Sequence, residues 1–371
     1  MSMRHRHRIA AENYASWRIR RLLAVAARVA IVPGWLLLGA AATLASGTNA
    51  PERARVIVAV GAAGEEDYGK EFAKWAELWA KASDQAEAKC GAVGLGPTNA
   101  TTDLARLKQL LASEPTNSPA ELWLVLIGHG TFDGKEAKFN LRGPDLSARE
   151  LAEWLNPFHR PVIVINCASS SGPFLNKLSA PGRVIMTATK SGYEENYARF
   201  GQFFAAALTD PLADLDKDDQ VSLLEAFIMA SRRVAEFYAA EGRLVTETAL
   251  LDDNGDGLGT PADFYRGVRA TKKPAGGPSV DGVRAHQFHL VRSPQEVGMA
   301  PAKRAQRDAL ELALAALREA KPDLDETEYY DRLERLLRPL AALYSESDGP
   351  GVPGPHSPTN SSESQSRSKS D

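Results

Sequence analysis

The chain has 371 residues, a formal net charge of −3 and an ordinary globular composition, with 44% hydrophobic, 25% charged and 7% aromatic residues. These values exclude a wholly disordered, collagen-like or multi-span membrane protein. The small negative net charge also argues against a generally basic nucleic-acid-binding protein, so we expect no nucleic-acid partner.

The first 46 residues predict a leader that directs the rest of the chain out of the cytoplasm. They hold seven arginines and one glutamate, which leaves 37 basic against 46 acidic residues in the body. An apolar run over residues 29–45 follows the arginines, as in a secretory signal peptide. The alternative is an uncleaved anchor that tethers the protein to the membrane, since the run is near the shortest length that spans a bilayer. Either segment predicts an exported body, which is periplasmic, secreted or on the outer face of the membrane.

Short apolar strands alternate with helical patterns over residues 53–265. Strands are predicted over 55–60, 121–127, 161–165 and 183–187. Helices are predicted over 68–82, 103–112, 147–155, 200–208 and 223–240. Continuous apolar strands that alternate with helices are typical of a parallel sheet covered on both faces. The sequence therefore predicts an α/β fold with a mainly parallel sheet.

The carboxyl-terminal third is predicted to have a different organisation. Residues 271–285 are rich in glycine, proline and lysine, which is typical of a linker or an exposed loop. Two helical patterns then span 302–344 around a Lys-Pro-Asp break and predict a helical hairpin docked on the sheet domain. Residues 345–371 are rich in serine, proline and glycine without apolar periodicity, so we expect a disordered tail.

Two chemically suggestive residues follow neighbouring predicted strands. His129 and Gly130 follow the strand at 121–127, and Cys167 follows the strand at 161–165. The carboxyl ends of parallel strands meet at one edge of a sheet, where loops carry reactive groups. An imidazole can activate a thiol, and backbone N–H groups can stabilise the oxyanion of acyl transfer. The spacing therefore predicts a Cys-His site at this edge.

The segments LWLVLIGHGTFDG and PVIVINCASSSGPF resemble the caspase–legumain clan of cysteine peptidases, and within it the legumain-like family. In that family one hydrophobic strand ends in His-Gly and the next ends in Glu-Ala-Cys-x-Ser-Gly. The resemblance covers residues from about 53 to 263. It implies a three-layer, caspase-like sandwich and a cysteine-type endopeptidase or transpeptidase that acts on a peptide or protein substrate.

Two alignments of the second segment remain open, and they imply different functions. If the strands are matched, Cys167 takes the nucleophile position and the family glycine falls on Ser170. If Ala-x-x-Ser-Gly is matched without gaps, Ser169 takes the nucleophile position instead. A hydroxyl is far less acidic than a thiol, so the second alignment implies a catalytically inactive protein-interaction module.

The resemblance also assigns roles within the active alignment. Cys167 would attack the scissile carbonyl, His129 would protonate the leaving amine, and the N–H groups of Gly130 and Cys167 would hold the oxyanion. Family members take specificity from the loops that here span residues 62–68 and 190–197. An acidic pocket in these loops would favour lysine or arginine before the cut, and its side chains would be Glu65, Glu66, Asp67, Glu194 and Glu195.

Residues 214–225 follow the pattern of an EF-hand calcium loop between two helical segments. The ligands would be Asp214, Asp216, Asp218, the backbone carbonyl of Gln220, Ser222 and Glu225. Asp219 departs from the pattern, because the sixth position is usually glycine. We expect a structural Ca²⁺ ion here. The alternative is a helix N-terminus whose acidic residues cap it and complement its dipole.

Overall fold

The computed structural model describes residues 53–98 and 100–347. The predicted leader at 1–46 and most of the predicted tail lie outside the described residues. Residues 345–347 still belong to the last helix, which ends at Ser347 and so extends past the predicted boundary. No helix among the described residues is long and apolar enough to span a bilayer.

The sequence folds into short strands and ten helices within the described ranges. The strands are β1 Arg55–Val60, β2 Lys89–Val93, β3 Leu122–Ile127, β4 Gly130–Phe132, β5 Ala137–Phe139, β6 Leu146–Ser147, β7 Val162–Asn166, β8 Arg183–Thr187, β9 Leu250–Asp252, β10 Thr260–Pro261, β11 Tyr265–Arg266 and β12 Arg269–Ala270. The helices are α1 Glu66–Gln85, α2 Asp103–Ala112, α3 Ala148–Leu155, α4 Gly172–Leu178, α5 Phe200–Ala207, α6 Leu223–Ala240, α7 Val283–Gln287, α8 Pro294–Gly298, α9 Pro301–Ala320 and α10 Glu326–Ser347.

The main sheet has seven strands in the order β10-β9-β8-β7-β3-β1-β2. The five strands from β8 to β2 run parallel, whereas β9 and β10 add antiparallel strands at one edge. In the register of β3 and β7, Leu126 lies opposite Asn166, so both strands end at the same edge. The predicted α/β fold with a mainly parallel sheet is confirmed.

Helices cover both faces of this sheet because successive side chains of each strand point to opposite faces. On one face, α1, α5 and α6 bury a core that includes Ile163 and Ile165. On the other face, α2, α3 and α4 bury a core that includes Val162 and Val164. The result is the predicted three-layer arrangement.

A small antiparallel sheet of β4, β5 and β6 follows β3 directly and was not predicted from the sequence. Its strands have two or three residues each, which is too short for a recognisable period-two pattern. This sheet fixes the backbone beside His129, because the Asn140 N–H donates to the His129 carbonyl at 3.0 Å.

The carboxyl-terminal helical pair is confirmed as α9 and α10. Buried Arg307 of α9 pairs with buried Glu296 of α8, and Gln287 donates to the carbonyl of Asp308 at 2.9 Å. The predicted linker at 271–285 is different from expectation in its second half. Asp281 is 1% exposed there, because this segment packs against the sheet domain and continues into α7.

Candidate functional site

His129 lies at the carboxyl-terminal edge of the sheet, two residues beyond β3. Its ring packs against Tyr68, Phe72 and Tyr197, with centroid distances of 4.9, 5.2 and 6.0 Å. Its Nε2 lies 3.2 Å from the carbonyl oxygen of Ala63. Burial among these rings lowers the pKa of His129, and the Ala63 contact opposes that shift only in part. The imidazole is therefore held neutral and oriented by a backbone carbonyl.

Cys167 does not lie in the crevice beside His129 but in the hydrophobic core. It continues the alternation of Ile163 and Ile165 toward α1 and α5, and it is fully buried. A Cβ built on Gly201 of α5 would lie 2.5 Å from the Cβ of Cys167, so the helix covers this side chain directly. Burial raises the pKa of the Cys167 thiol, and the nearby Glu247 carboxylate raises it further. The sulfur is thus covered and protonated, which does not suit a nucleophile.

Ser169 is the side chain that meets the His-Gly segment. The Gly130 N–H donates to Ser169 Oγ at 3.2 Å, and Ser169 Oγ donates to the Gly130 carbonyl at 3.1 Å. Ser169 is 3% exposed. No hydrogen bond joins Ser169 to the imidazole of His129 within the described ranges. The alignment that puts Ser169 at the nucleophile position therefore describes the geometry better than the one with Cys167.

Each alignment retains one backbone feature of the family pattern. Ser170 has a φ of 53°, in the left-handed region that favours glycine, and the strand-based alignment places the family glycine there. Gly172, the glycine of the ungapped alignment, has no room for a side chain. A Cβ there would lie 2.5 Å from both the carbonyl carbon of Lys190 and the nitrogen of Ser191. The contact between Ser169 and Gly130 favours the ungapped alignment.

The two N–H groups assigned to the oxyanion already have acceptors. Gly130 donates to Ser169, as described, and the Cys167 N–H donates to the carbonyl of Leu126 at 2.9 Å. An oxyanion hole needs donors aimed at the position where negative charge develops. These two groups are instead used to hold the loop after β7 against the end of β3.

The predicted acidic pocket is distributed over separate surroundings. Glu65 precedes α1, and the side chains of Glu66 and Asp67 are 85% and 92% exposed in its first turn, where both pair with Lys70. Glu194 accepts the N–H groups of Lys190 and Thr248 and so joins two loops. Glu195 is exposed. These positions place the acidic side chains on loop surfaces or on backbone amides.

Glu247 is a buried residue of this region that the sequence did not indicate. Its carboxylate accepts the N–H groups of Arg199 and Phe200 at the start of α5, and it also accepts the Tyr238 hydroxyl. Burial raises the pKa of Glu247. Since Glu247 follows no recognisable motif, only the fold brings it to the helix. It anchors the loop before β9 beside the candidate site.

The predicted calcium loop has the backbone conformation of a tight acidic turn. Asp214 accepts the N–H groups of Lys217 at 2.6 Å and Asp219 at 3.2 Å. Both donors have positive φ angles, of 65° and 67°. Carboxylate oxygens of Asp214, Asp216 and Asp218 lie within 4.8 Å of one another. These three side chains fit a divalent cation.

The other predicted ligands of this loop contact protein groups. Both oxygens of Glu225 accept hydrogen bonds, from Leu215 and Asp216 on one side and from Ser222 on the other. Ser222 caps α6, so the two residues form a capping box. The Gln220 side chain donates to Asp218, and a ring nitrogen of His286 lies 3.0 Å from Asp216. A cation that also used Glu225 as a ligand would require this side chain to exchange its backbone partners for the ion.

The sheet order and the helices on both faces define an α/β protein with a mainly parallel sheet, and a His-Gly pair follows β3. The structure is similar to that of the Drosophila initiator caspase Dronc, with 14% identity, a TM-score of 0.38 and coverage of 62% of this chain and 93% of Dronc. It is also similar to caspase-1 from Spodoptera frugiperda, with 11% identity, a TM-score of 0.36 and coverage of 55% and 87%. By sequence, the chain matches no protein-family model and no curated protein.

Proposed function

We propose that this protein is a non-catalytic, caspase-like module that binds a peptide or protein segment. The mutual hydrogen bonds of Gly130 and Ser169 carry this proposal. An active serine would donate its proton to a general base, but Ser169 donates to a backbone carbonyl. The N–H group that would stabilise an oxyanion donates to the same serine. Gly130 and Ser169 therefore satisfy each other, and neither is prepared for acyl transfer.

An exposed apolar rim beside this edge supports a binding role. Tyr193, Leu244 and Val245 are 75%, 88% and 52% exposed. Their two loops are joined by the hydrogen bond from Thr248 to Glu194, and Tyr193 packs against Phe132 of β4. Exposed aromatic and aliphatic side chains on adjoining loops are typical of peptide and protein contact surfaces. We expect a partner segment to place apolar side chains on this rim.

A thiol-directed peptide electrophile tests the absence of cysteine catalysis. Cys90 is exposed, so the experiment uses a Cys90→Ser background and follows labelling by mass spectrometry. We expect no labelling of the folded protein, either with Cys167 present or in Cys167→Ala. Labelling that depends on Cys167 without denaturant would overturn the proposal. Any hydrolysis of a peptide library that is lost in Ser169→Ala would also overturn it.

Selection from a displayed random-peptide library on the immobilised body of the protein tests the binding role. We expect apolar peptides whose affinity falls at least tenfold in Tyr193→Ala and Leu244→Ala. Val297→Ala is the matched control, since Val297 is 68% exposed but lies on α8. If no peptide is enriched, or if the control variant weakens binding equally, the proposed role of the rim is wrong.

For the loop at 214–225 we propose a structural Ca²⁺ ion held by Asp214, Asp216 and Asp218. The bound ion would supply positive charge that offsets repulsion among these carboxylates, and this would stabilise the turn before α6. We expect the melting temperature to rise with Ca²⁺ and fall with chelator in the wild type but not in Asp214→Ala. Asp263→Asn, an exposed acidic site elsewhere, should respond like the wild type. Identical melting curves with Ca²⁺ and with chelator would contradict the proposed ion.

We also propose that the leader at 1–46 exports the body. The order of arginines, then an apolar run, then small residues along the leader supports this proposal. A fusion of residues 1–60 to a reporter that is active only outside the cytoplasm should show activity, and replacement of Arg20 and Arg21 by glutamate should reduce it. An inactive reporter with intact fusion protein would contradict export.

A further inference from the structure

Two carboxylates are buried side by side where β9 ends. Asp253 is 4% exposed and Asp281 is 1% exposed. The Asp253 N–H donates to Asp281 Oδ1 at 3.2 Å, and the Thr260 hydroxyl donates to the other oxygen of Asp281. Two neighbouring carboxylates in a buried site cannot both ionise without a large electrostatic cost. The pair therefore needs either a cation or a proton.

The groups around this pair are mostly negative or uncharged. Asp252 is buried next to Asp253, Asp256 lies in the turn that follows β9, and the buried Tyr265 hydroxyl has no hydrogen-bond partner within the described ranges. Arg284 of α7 and Glu319 of α9 line the adjoining cavity, but the Glu319 carboxylate accepts the Val280 N–H. No ion pair joins Asp253 or Asp281 to a basic side chain in the described part of the chain. Among the described residues, the pair also belongs to no group of three clustered carboxylate, imidazole or thiol ligands. A proton is therefore the compensating charge that the surroundings favour.

The pair fixes one segment of chain onto the sheet domain. Asp253 accepts the N–H groups of Gly282 at 2.9 Å and Ala285 at 2.8 Å, which holds the start of α7 against β9. We call residues 279–287 the clasp segment. The same segment carries the contacts of the carboxyl-terminal helices, from Val280 to Glu319 and from Gln287 to Asp308 and Glu311. What loosens the clasp segment therefore loosens the docking of α9.

We propose that Asp253 and Asp281 share one proton and form a pH-sensitive clasp between the sheet domain and the helical pair. With the proton bound, the two side chains tolerate each other and the clasp segment stays docked. When the proton is lost to solvent, repulsion between the two carboxylates opens the clasp segment while the sheet remains folded. At alkaline pH, α9 and α10 would therefore be docked less tightly on the sheet domain.

The direction of the pH effect follows from the burial of the pair. Burial, and then the neighbouring Asp253 carboxylate, raises the pKa of Asp281 to about 8. Burial also raises the pKa of Asp253. Because the unfolded chain would titrate near the ordinary pKa of aspartate, about 3.9, the stabilisation is complete below pH 4. It is lost progressively as the pH rises to about 8 and changes no further above that.

Hydrogen–deuterium exchange of the full chain tests the clasp at pH 5.5, 6.5, 7.5 and 8.5. At each pH, the opening constant of the clasp segment in the wild type is divided by that in Asp281→Asn, which cancels the intrinsic pH dependence of exchange. We expect this ratio to rise by up to tenfold per pH unit between 5.5 and 7.5 and then to level off. Asp263→Asn, which removes an exposed carboxylate, should behave like the wild type.

A ratio that stays constant with pH would overturn the proposal, as would an equal rise in the strands of the main sheet. Infrared spectroscopy gives a second measurement that does not depend on the stability of the variant. The wild type should show the C=O band of a buried protonated carboxylic acid at pH 6, and the band should weaken by pH 9.5. Absence of that band at pH 6 would also overturn the shared proton.

Discussion

Gly201 approaches Cys167 so closely that a Cβ on the glycine would lie 2.5 Å from the Cβ of the cysteine and 2.9 Å from its sulfur. The glycine therefore permits α5 to rest directly on the end of β7. This contact explains both the burial of Cys167 and the placement of α5. It also makes the glycine the point at which the candidate nucleophile is closed off from solvent.

Gly201→Ala should destabilise the protein, because the methyl group meets the Cys167 side chain and the ring of Trp75. We expect a loss of about 1–3 kcal/mol in the free energy of unfolding, as for other overpacked cores. Chemical denaturation measures the effect. The matched control is Gly298→Ala, where nothing lies within 4 Å of an added Cβ. Equal stability of the two variants would show that the contact is looser than described.

Glu247→Ala should also reduce stability, for a different reason. Without the carboxylate, the N–H groups of Arg199 and Phe200 and the Tyr238 hydroxyl lose a buried acceptor. An unsatisfied buried donor costs about 1–3 kcal/mol. Summed over these groups, we expect the free energy of unfolding to fall by about 3 kcal/mol. Glu247→Gln keeps one acceptor and should lose less.

Denaturant titration compares these variants with Glu241→Ala, an exposed position at the end of α6 that should change stability by less than about 0.5 kcal/mol. If Glu247→Ala is as stable as this control, the carboxylate does not anchor the loop before β9.

Four of the seven strands of the main sheet, β1, β3, β7 and β8, could be predicted from the sequence, but the direction of the key side chain could not. The apolar runs of β3 and β7 indicate buried strands, because their short length and their β-branched composition are typical of such strands. Which face Cys167 takes depends on whether the alternation of Ile163 and Ile165 continues for one more residue. A shift of one residue moves a side chain to the other face of the sheet. No local signal reports that choice.

Hydrogen bonds between residues that are distant in the chain could not be predicted from the sequence either. Glu247 meets Arg199 across 48 positions, and Asp281 meets Asp253 across 28, without any motif to connect them. The helical pair was predictable because periodicity alone defines two helices. The segment before it looked like a linker because glycine and proline dominate its first half, whereas its second half is held by two buried aspartates. Composition describes a segment, but burial depends on what the rest of the fold brings to it.

The pKa of His129 should lie below that of a free histidine, because aromatic rings exclude water from its imidazole. Tyr197→Ala opens one side of the ring and should raise the pKa toward about 6.5. NMR titration of the imidazole resonances measures both values. Tyr193→Ala is the control, since Tyr193 is largely exposed and packs against Phe132.

The lowered pKa of His129 also makes the stability of the protein depend on pH. Because the folded pKa of His129 is lowered, its neutral form stabilises the protein above about pH 6.5, and this contribution is lost as the pH falls toward the folded pKa. An unchanged His129 pKa in Tyr197→Ala would show that burial by this ring is not the cause.

His289 should be replaceable by leucine with a gain in stability. The residue is 7% exposed, and neither ring nitrogen has a hydrogen-bond partner among the described residues. A buried polar group without a partner costs about 1–3 kcal/mol, so an apolar side chain of similar size avoids that cost. We expect His289→Leu to be about 1 kcal/mol more stable than the wild type at pH 7, measured by chemical denaturation.

The same variant should be less sensitive to acid. Burial lowers the pKa of His289 to about 3, so the wild type loses stability as the pH falls from about 6.5 toward 3, whereas leucine takes up no proton. The difference between His289→Leu and the wild type should therefore grow between pH 6.5 and 4. His159→Leu, at an exposed position, should show neither effect. A lower stability of His289→Leu at pH 7 would contradict the prediction and would show that the imidazole makes a favourable contact in solution. A bound water that bridges a ring nitrogen and the adjoining Glu296 would explain such a contact.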